Sequence, residues 1–153
     1  MTQVHAPNSL NSQTLYDRDF AVWIETTVAL LKANQFQQID LENLIEEVES
    51  MGKSQKSAIR NNLIVVLLHL LKWQYQPERR SKSWRSSMIE HRRRLRDYFL
   101  DSPSLRRYLD EVFDRCYEDA CKQAAIETGL DLKVFPKESP FTPDQSLDSE
   151  FLP

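Results

Sequence analysis

Glycine is scarce in this sequence, which has only 2 glycines among 153 residues. This scarcity excludes the glycine-rich loops that bind phosphates. Cysteine is scarce too: Cys116 and Cys121 stand five residues apart, a spacing that points them to different sides of a helix and excludes a local disulfide. There is no Cys-x-x-Cys pair, and acidic residues surround both cysteines. We therefore predict free, unreactive thiols in a reducing compartment.

Long apolar runs are also missing. The longest is LIVVLLHLL, from Leu63 to Leu71, which is half the length needed to cross a bilayer and includes a histidine. No segment has the pattern of a targeting peptide or a transmembrane helix. We therefore predict a cytoplasmic protein that makes no membrane contact.

What the sequence has in quantity is straight-chain residues that favour helices, within a composition that is 41% hydrophobic and 28% charged. We predict an all-α fold: a single-domain bundle of about five helices with a Pro-rich, partly helical C-terminal tail. A polar lead-in, residues 1–14, is expected to be disordered, and residues 15–153 to form the bundle. The tail, residues 132–153, is expected to pack on the bundle through Phe135, Phe141, Phe151 and Leu152.

Capping residues predict where the helices begin and end. In chain order, the predicted start residues are Asp17 or Asp19, Asp40, Ser54, Ser81 or Ser83, and Ser102 followed by Pro103. The predicted ends are Asn34, Gly52, Gln74 before Pro77, Leu100, and Thr128 before Gly129. Thr142 and Gln145 fit a capping box for one short turn in the tail. At Gly52 the pattern leaves two alternatives, a left-handed end or a helix that continues through the glycine.

Apolar residues at helical spacing identify the predicted core. Its members are Phe20, Trp23, Leu30, Leu44, Ile45, Val48, Leu63, Val66, Leu67, Leu70, Trp73, Trp84, Met88, Leu95, Phe99, Leu109 and Phe113.

Several phrases, in order and at matching spacing, resemble a known bacterial family. They are YDRDF with Trp23, LENLIEEVESMG, HLLKWQYQPERRSKSW, DSPSL and the closing FP…P.TPDQ.LD..FLP. Together they span Tyr16 to Pro153, and the family they resemble is domain-of-unknown-function family 29. The resemblance implies a compact helical protein that stands alone as one domain. It implies no activity and no established site residues.

Charge is distributed unevenly along this acidic chain, whose net charge is −3. Residues 72–96 hold 9 basic and 2 acidic side chains, between regions with net charges of −3 and −7. One explanation is an internal clamp, in which arginines along one helix flank pair with carboxylates of the neighbouring helices. The candidate carboxylates are Glu42, Glu46, Glu47 and Glu49 on one helix and Asp110, Glu111, Asp114, Glu118 and Asp119 on another.

The alternative for this basic segment is contact with RNA or phosphate, in which aromatic rings stack on unpaired bases. The binding candidates are Arg79, Arg80, Lys82, Trp84, Arg85 and Arg92. Arg85 and His91 also fit the arginine–histidine spacing of the helical ribonucleases called HEPN, in which the histidine would move a proton. Their pattern is a common one in arginine-rich helices, and the family that the chain resembles more often has glutamine at the position of His91. The overall acidic charge favours the internal clamp.

Two further candidates are the buried histidines, His69 and His91. His69 lies within the apolar run and needs a hydrogen-bond partner, for which Glu47 and Glu49 are the candidates. No pair of histidines or glutamates has the spacing of a metal site on one helix, so we predict no metal and no cofactor. The absence of any catalytic motif favours a non-enzymatic cytosolic helical module that binds another protein. RNA binding, with nuclease activity through Arg85 and His91, is the alternative.

Overall fold

A computed structural model describes residues 14–153, and every regular element in this part of the chain is helical, with no strand. The predicted all-α class is confirmed. The α-helices are α1 (Leu15–Arg18), α2 (Phe20–Lys32), α3 (Leu41–Tyr75), α4 (Lys82–Asp101), α5 (Ser104–Thr128) and α6 (Pro143–Leu147). Short 3-10 turns lie at Phe36–Gln38, Pro77–Arg79 and Leu132–Val134. The predicted disordered lead-in lies outside the described residues except for Thr14.

Helix α3 runs without interruption through Gly52 for 35 residues, so two of the predicted helices are one. The predicted helix start at Ser54 is therefore wrong. A glycine inside a helix costs about 1 kcal/mol relative to alanine, which the hydrogen bonds of such a long helix outweigh. Residues 14–153 thus form four long helices and two short ones, of which α6 is the predicted helical turn of the tail.

The other helix ends follow local side-chain chemistry, with one exception. Asp19 accepts a hydrogen bond from the Val22 N–H and caps α2, and Ser81 caps α4 in the same way. Gly129 ends α5 with a φ of 73°, a left-handed conformation in which only glycine is unstrained. The prediction for the start of α5 is wrong by one residue, because Pro103 takes the N-cap position and Ser102 is instead the C-cap of α4.

The chain divides into two compact units, which meet between Met51 and Gly52. The second unit, residues 52–153, holds nearly all of the buried apolar side chains, supplied by the second half of α3, by α4 and by α5. Within this unit the predicted core members Leu63, Val66, Leu67, Leu70, Met88, Leu95, Leu109 and Phe113 are all buried. That the two units form one domain stays a prediction.

The C-terminal tail belongs to the second unit, and its aromatic residues pack against the core of that unit. Phe135 and Phe141 are buried, and Phe151 and Leu152 pack against the same core at partial exposure. Helix α6 begins with the predicted capping box, in which Thr142 and Gln145 exchange hydrogen bonds.

The first unit is described over residues 14–51 and buries little. Trp23 is its buried aromatic residue, with Tyr16 at 5.0 Å edge-to-face and Phe20 stacked at 5.6 Å between ring centroids. Three predicted core residues, Phe20, Ile45 and Val48, are exposed. The prediction is wrong for them because the described elements leave about half of each of these side chains uncovered.

Within residues 14–153, no helix combines the length and the apolar character that crossing a membrane would require.

Candidate interaction surface

The first half of α3 carries an exposed apolar row. Leu41, Ile45, Val48 and Met51 lie three or four residues apart, a spacing that puts them on one face of the helix. Their exposed fractions are 60%, 50%, 54% and 62%. Scattered exposed apolar residues are ordinary, but a continuous row is a candidate for an interaction site. We call these four residues the α3 row.

Acidic side chains border the α3 row. The segment Leu41–Met51 contains four glutamates and no basic residue. One of them, Glu47, accepts a hydrogen bond from the Tyr16 hydroxyl, and this bond raises the pKa of Tyr16 to about 12. The other three, Glu42, Glu46 and Glu49, are exposed. Residues 14–51 as a whole hold 8 acidic and 2 basic side chains.

Helix α2 has a similar exposed face. Phe20, Ile24, Val28 and Leu31 follow helical spacing and are between 40% and 46% exposed. Trp23, on a different side of α2, is buried, and its Nε1 has no hydrogen-bond partner among the described residues. A buried donor without a partner costs about 1–3 kcal/mol. The first unit thus has exposed apolar surface and also a buried N–H group without a hydrogen-bond partner.

The residues of the predicted basic segment make several different kinds of contact. Arg80 donates a hydrogen bond to the Trp73 carbonyl at 2.9 Å, and its guanidinium lies 5.0 Å from the centre of that indole ring. Lys72 lies 4.6 Å from the centre of the Trp84 ring and pairs with Glu127 at 2.9 Å. One face of each tryptophan is therefore already covered by a cation of this chain.

Arg92 lies inside the second unit, only 2% exposed. Its Nε donates to the Ser146 carbonyl at 2.9 Å, and Nη2 donates to the carbonyls of Gln145 at 3.3 Å and Phe151 at 3.1 Å. Burial lowers the pKa of this guanidinium. Arg92 therefore holds the tail through backbone oxygens, and it is neither an exposed phosphate ligand nor a partner of α3 or α5 carboxylates.

Two other arginines of α4, Arg93 and Arg94, pair within their own helix. Arg93 and Arg94 both bind Glu90 at 2.9 Å, and Arg93 also binds Asp97. These hydrogen bonds lower the pKa of Glu90 to about 2. Among the described residues, no ion pair joins an α4 arginine to α3 or α5, so the predicted clamp is wrong. Pairs at i, i+3 and i, i+4 form with less loss of side-chain freedom than pairs between helices.

Arg79, Lys82 and Arg85 are exposed, and within residues 14–153 none of them makes an ion pair. Arg85 borders a small hollow beside the tail residues Ser149 and Glu150. His91 instead faces α3, where its Nδ1 lies 2.7 Å from the Asn62 Oδ1. The arginine and the histidine thus face different neighbours, and the structure does not assemble them into one nuclease site.

Both histidines are half-buried, and each has a partner within the structure. The Nδ1 of His69 lies 2.8 Å from the Val65 carbonyl of the same helix, so the predicted partners Glu47 and Glu49 are wrong. Glu47 binds Tyr16 instead, and Glu49 is exposed. Burial lowers the pKa of His69 and of His91, so both rings are neutral near pH 7.

The described residues, 14–153, form neither a metal-binding cluster nor a reactive thiol site. Residues 14–153 hold no group of three or more His, Cys, Asp or Glu side chains placed to bind a metal ion. Cys116 and Cys121 are free and buried. Burial raises the pKa of both thiols, that of Cys116 to about 11, which disfavours the reactive thiolate.

The sequence pattern places two residues of the α3 row, Ile45 and Val48, in the predicted core, and it does not predict an exposed row here. The acidic border was visible, because Leu41–Met51 lacks any lysine or arginine that could pair with its glutamates. An apolar stripe with borders of a single charge is the signal that points to a partner of opposite charge.

Comparison with known proteins identifies the family but no activity. No curated protein and no solved structure matches the chain. The model of one family, Domain of unknown function DUF29, matches residues 15–152, nearly the whole chain. This protein therefore belongs to the DUF29 family.

Proposed function

We propose that this protein is a protein-interaction module whose α3 row binds an amphipathic helix of another protein, one with basic residues along its borders. The observation that carries the proposal is the row itself: four exposed apolar side chains with glutamates as their only charged neighbours in Leu41–Met51. A helix laid along this row contributes apolar anchors at the same three- and four-residue spacing. Its lysines or arginines meet Glu42, Glu46 and Glu49.

The apolar surface is large enough to support such an interaction. Fully burying a large apolar side chain is worth about 1.5–3 kcal/mol, and the four residues of the row are half exposed, so each has about 1 kcal/mol to gain. The ion pairs at the border supply specificity and association rate. A second copy of this chain that offered the same row would bring glutamates against glutamates, which favours a different protein as the partner.

RNA binding has less support. The exposed Arg79, Lys82 and Arg85 favour it, but Arg92 is buried, and Trp73 and Trp84 each have a face covered by a cation. For location, the two free buried cysteines support a reducing compartment, of which the cytoplasm is the one we propose.

The test uses the full chain and two synthetic helical peptides. Both carry leucine at three- and four-residue spacing, but one has lysine and the other glutamate at the border positions. We expect fluorescence anisotropy to show binding of the lysine peptide, weakened by salt because exposed charges are screened, and little binding of the glutamate peptide. The variant Val48→Glu should lower the affinity at least tenfold.

The matched control is Ser50→Glu, which adds the same charge on the opposite side of the same helix. Circular dichroism and thermal melts check that both variants fold. Equal binding of the two peptides, or equal affinity of the Val48→Glu and Ser50→Glu variants, would contradict the proposal. If light scattering shows a dimer that Val48→Glu disrupts, the partner of the α3 row is a second copy of this chain and not a basic helix of another protein.

A further inference from the structure

A pocket of about 510 Å³ lies between α5 and the tail segment 132–137. This volume is in the range of small-molecule sites. Its lining residues are Tyr117, Glu118, Cys121, Lys122, Leu132, Lys133, Phe135, Pro136 and Lys137. All of them belong to the second unit, so the pocket is independent of the α3 row.

The walls of the pocket are apolar and held in place. Tyr117 is buried, and its hydroxyl donates a hydrogen bond to the Pro136 carbonyl at 2.6 Å. Phe135 is buried too and meets the Tyr75 ring edge-to-face, with 5.2 Å between centroids. Leu132, which is half exposed, completes the outer wall. The tail is thus fixed to α5 by a hydrogen bond and by aromatic packing, which gives the pocket a defined shape in the absence of a ligand.

The charged groups of the pocket are mainly positive. Three lysines line it, against one carboxylate, Glu118. Lys122 lies 3.5 Å from Asp119, whereas Lys133 and Lys137 make no ion pair among the described residues. All three lysines are exposed, so their ammonium groups reach the solvent side of the pocket.

The neighbouring groove has the opposite charge. It shares Tyr117, Glu118 and Lys137 with the pocket, and its further acidic lining is Asp110, Asp114 and Glu138. An anion near this surface is therefore repelled from the groove and attracted to the lysine side of Tyr117.

We propose that the pocket between α5 and the tail binds a small amphipathic anion, an alkyl chain that ends in a carboxylate. The chain lies against Leu132, Phe135 and the ring of Tyr117, where it leaves water. The carboxylate stays at the solvent side near Lys133 and Lys137. No charge has to be buried, which removes the desolvation cost that a deep ionic site would carry.

The test is an NMR titration of the full chain with decanoate. Amide signals of residues 117–122 and 132–137 should shift with saturation. Decanol and decyltrimethylammonium carry the same chain without the negative charge, and both should bind at least tenfold more weakly. The double variant Lys133→Glu/Lys137→Glu should weaken decanoate binding about tenfold, because it replaces two attractive charges at the solvent side by repulsive ones.

A matched control is Lys53→Glu/Lys56→Glu, which makes the same charge change at exposed lysines outside the pocket. This control should bind decanoate like the original chain. The variant Leu132→Asp tests the apolar wall at a half-exposed position where the fold tolerates a polar side chain, and it should weaken both decanoate and decanol. Equal binding of the cationic and anionic probes, or shifts confined to residues 41–51, would overturn the proposal.

Discussion

The two halves of helix α3 carry apolar residues at the same spacing, yet they differ in burial. In the second half, Leu63, Leu67 and Leu70 are completely buried by α4 and α5. In the first half, the α3 row is more than half exposed on average, although it belongs to the same continuous helix. An apolar stripe therefore shows which helix face is suited to burial. Whether another helix of the same chain buries that face depends on the rest of the sequence.

The largest expected effect comes from truncating one residue in each half. Leu67→Ala should lower the free energy of unfolding by about 3 kcal/mol, because it removes buried contacts and leaves a cavity. Val48→Ala should change it by less than about 0.5 kcal/mol, because the side chain is already 54% exposed. Urea denaturation of both variants measures the difference. Equal destabilisation would mean that the α3 row is covered in solution.

The second test compares two arginines of α4 in the second unit. Arg92→Met removes the donors of three tail carbonyls and should cost about 2 kcal/mol of stability. Arg96→Met changes an exposed position of the same helix and should cost less than about 0.5 kcal/mol. Thermal unfolding measures both, and limited proteolysis should cut the tail faster in the first variant. Similar melting temperatures would contradict the assigned role of Arg92.

A smaller effect concerns pH and the histidines of the second unit. Because burial lowers the pKa of His69 and of His91, the unfolded chain binds more protons than the folded chain at pH values just below the ordinary pKa of 6.5. Stability should therefore be complete above pH 7 and fall as the pH drops from 6.5 through the lowered pKa values. Melting temperatures between pH 8 and pH 5 measure this slope.

His91→Gln keeps an amide that can bind Asn62 but removes one titrating ring. The melting temperature of this variant should therefore fall less between pH 7 and pH 5 than that of the original chain. An unchanged slope would show that His91 does not titrate with the lowered pKa.

The smallest effect is local to the first unit. The hydrogen bond to Glu47 raises the pKa of Tyr16 to about 12, so this phenol should ionise at a higher pH than an ordinary tyrosine. Its contribution to stability is present below pH 10 and is lost as the pH rises towards 12. Ultraviolet absorbance titrations of the original chain and of Tyr16→Phe should differ by one tyrosine with a midpoint near 12. Glu47→Gln should lower that midpoint, and an unchanged midpoint would exclude the hydrogen bond in solution.

Local chemistry made much of the fold predictable. The caps at Ser81 and Thr142 and the left-handed end at Gly129 each depend on a few neighbouring residues, and the structure has them as the sequence indicates. The continuation of α3 through Gly52 depends instead on a balance between two free energies: the cost of one glycine inside a helix and the gain from the hydrogen bonds of a long helix. Sequence pattern alone leaves that balance open.

The candidate sites were harder to predict because they depend on distant segments. The hydrogen-bond partners of Arg92 lie between 53 and 59 positions after it in the chain. They are backbone carbonyls, which every residue has, so no residue type in the sequence identifies them. The pocket beside α5 likewise forms only where residues 132–137 return to the helix. The tail phenylalanines showed that this segment docks, but their spacing did not show where.

The contacts of Arg92 also have a consequence for the order of folding. During synthesis, this arginine is made 53 residues before Gln145, the first of its partners along the chain. Until that later segment arrives, the guanidinium stays hydrated and the face of α4 beneath it lacks its cover. The second unit therefore reaches its final packing only after residue 151 has been made.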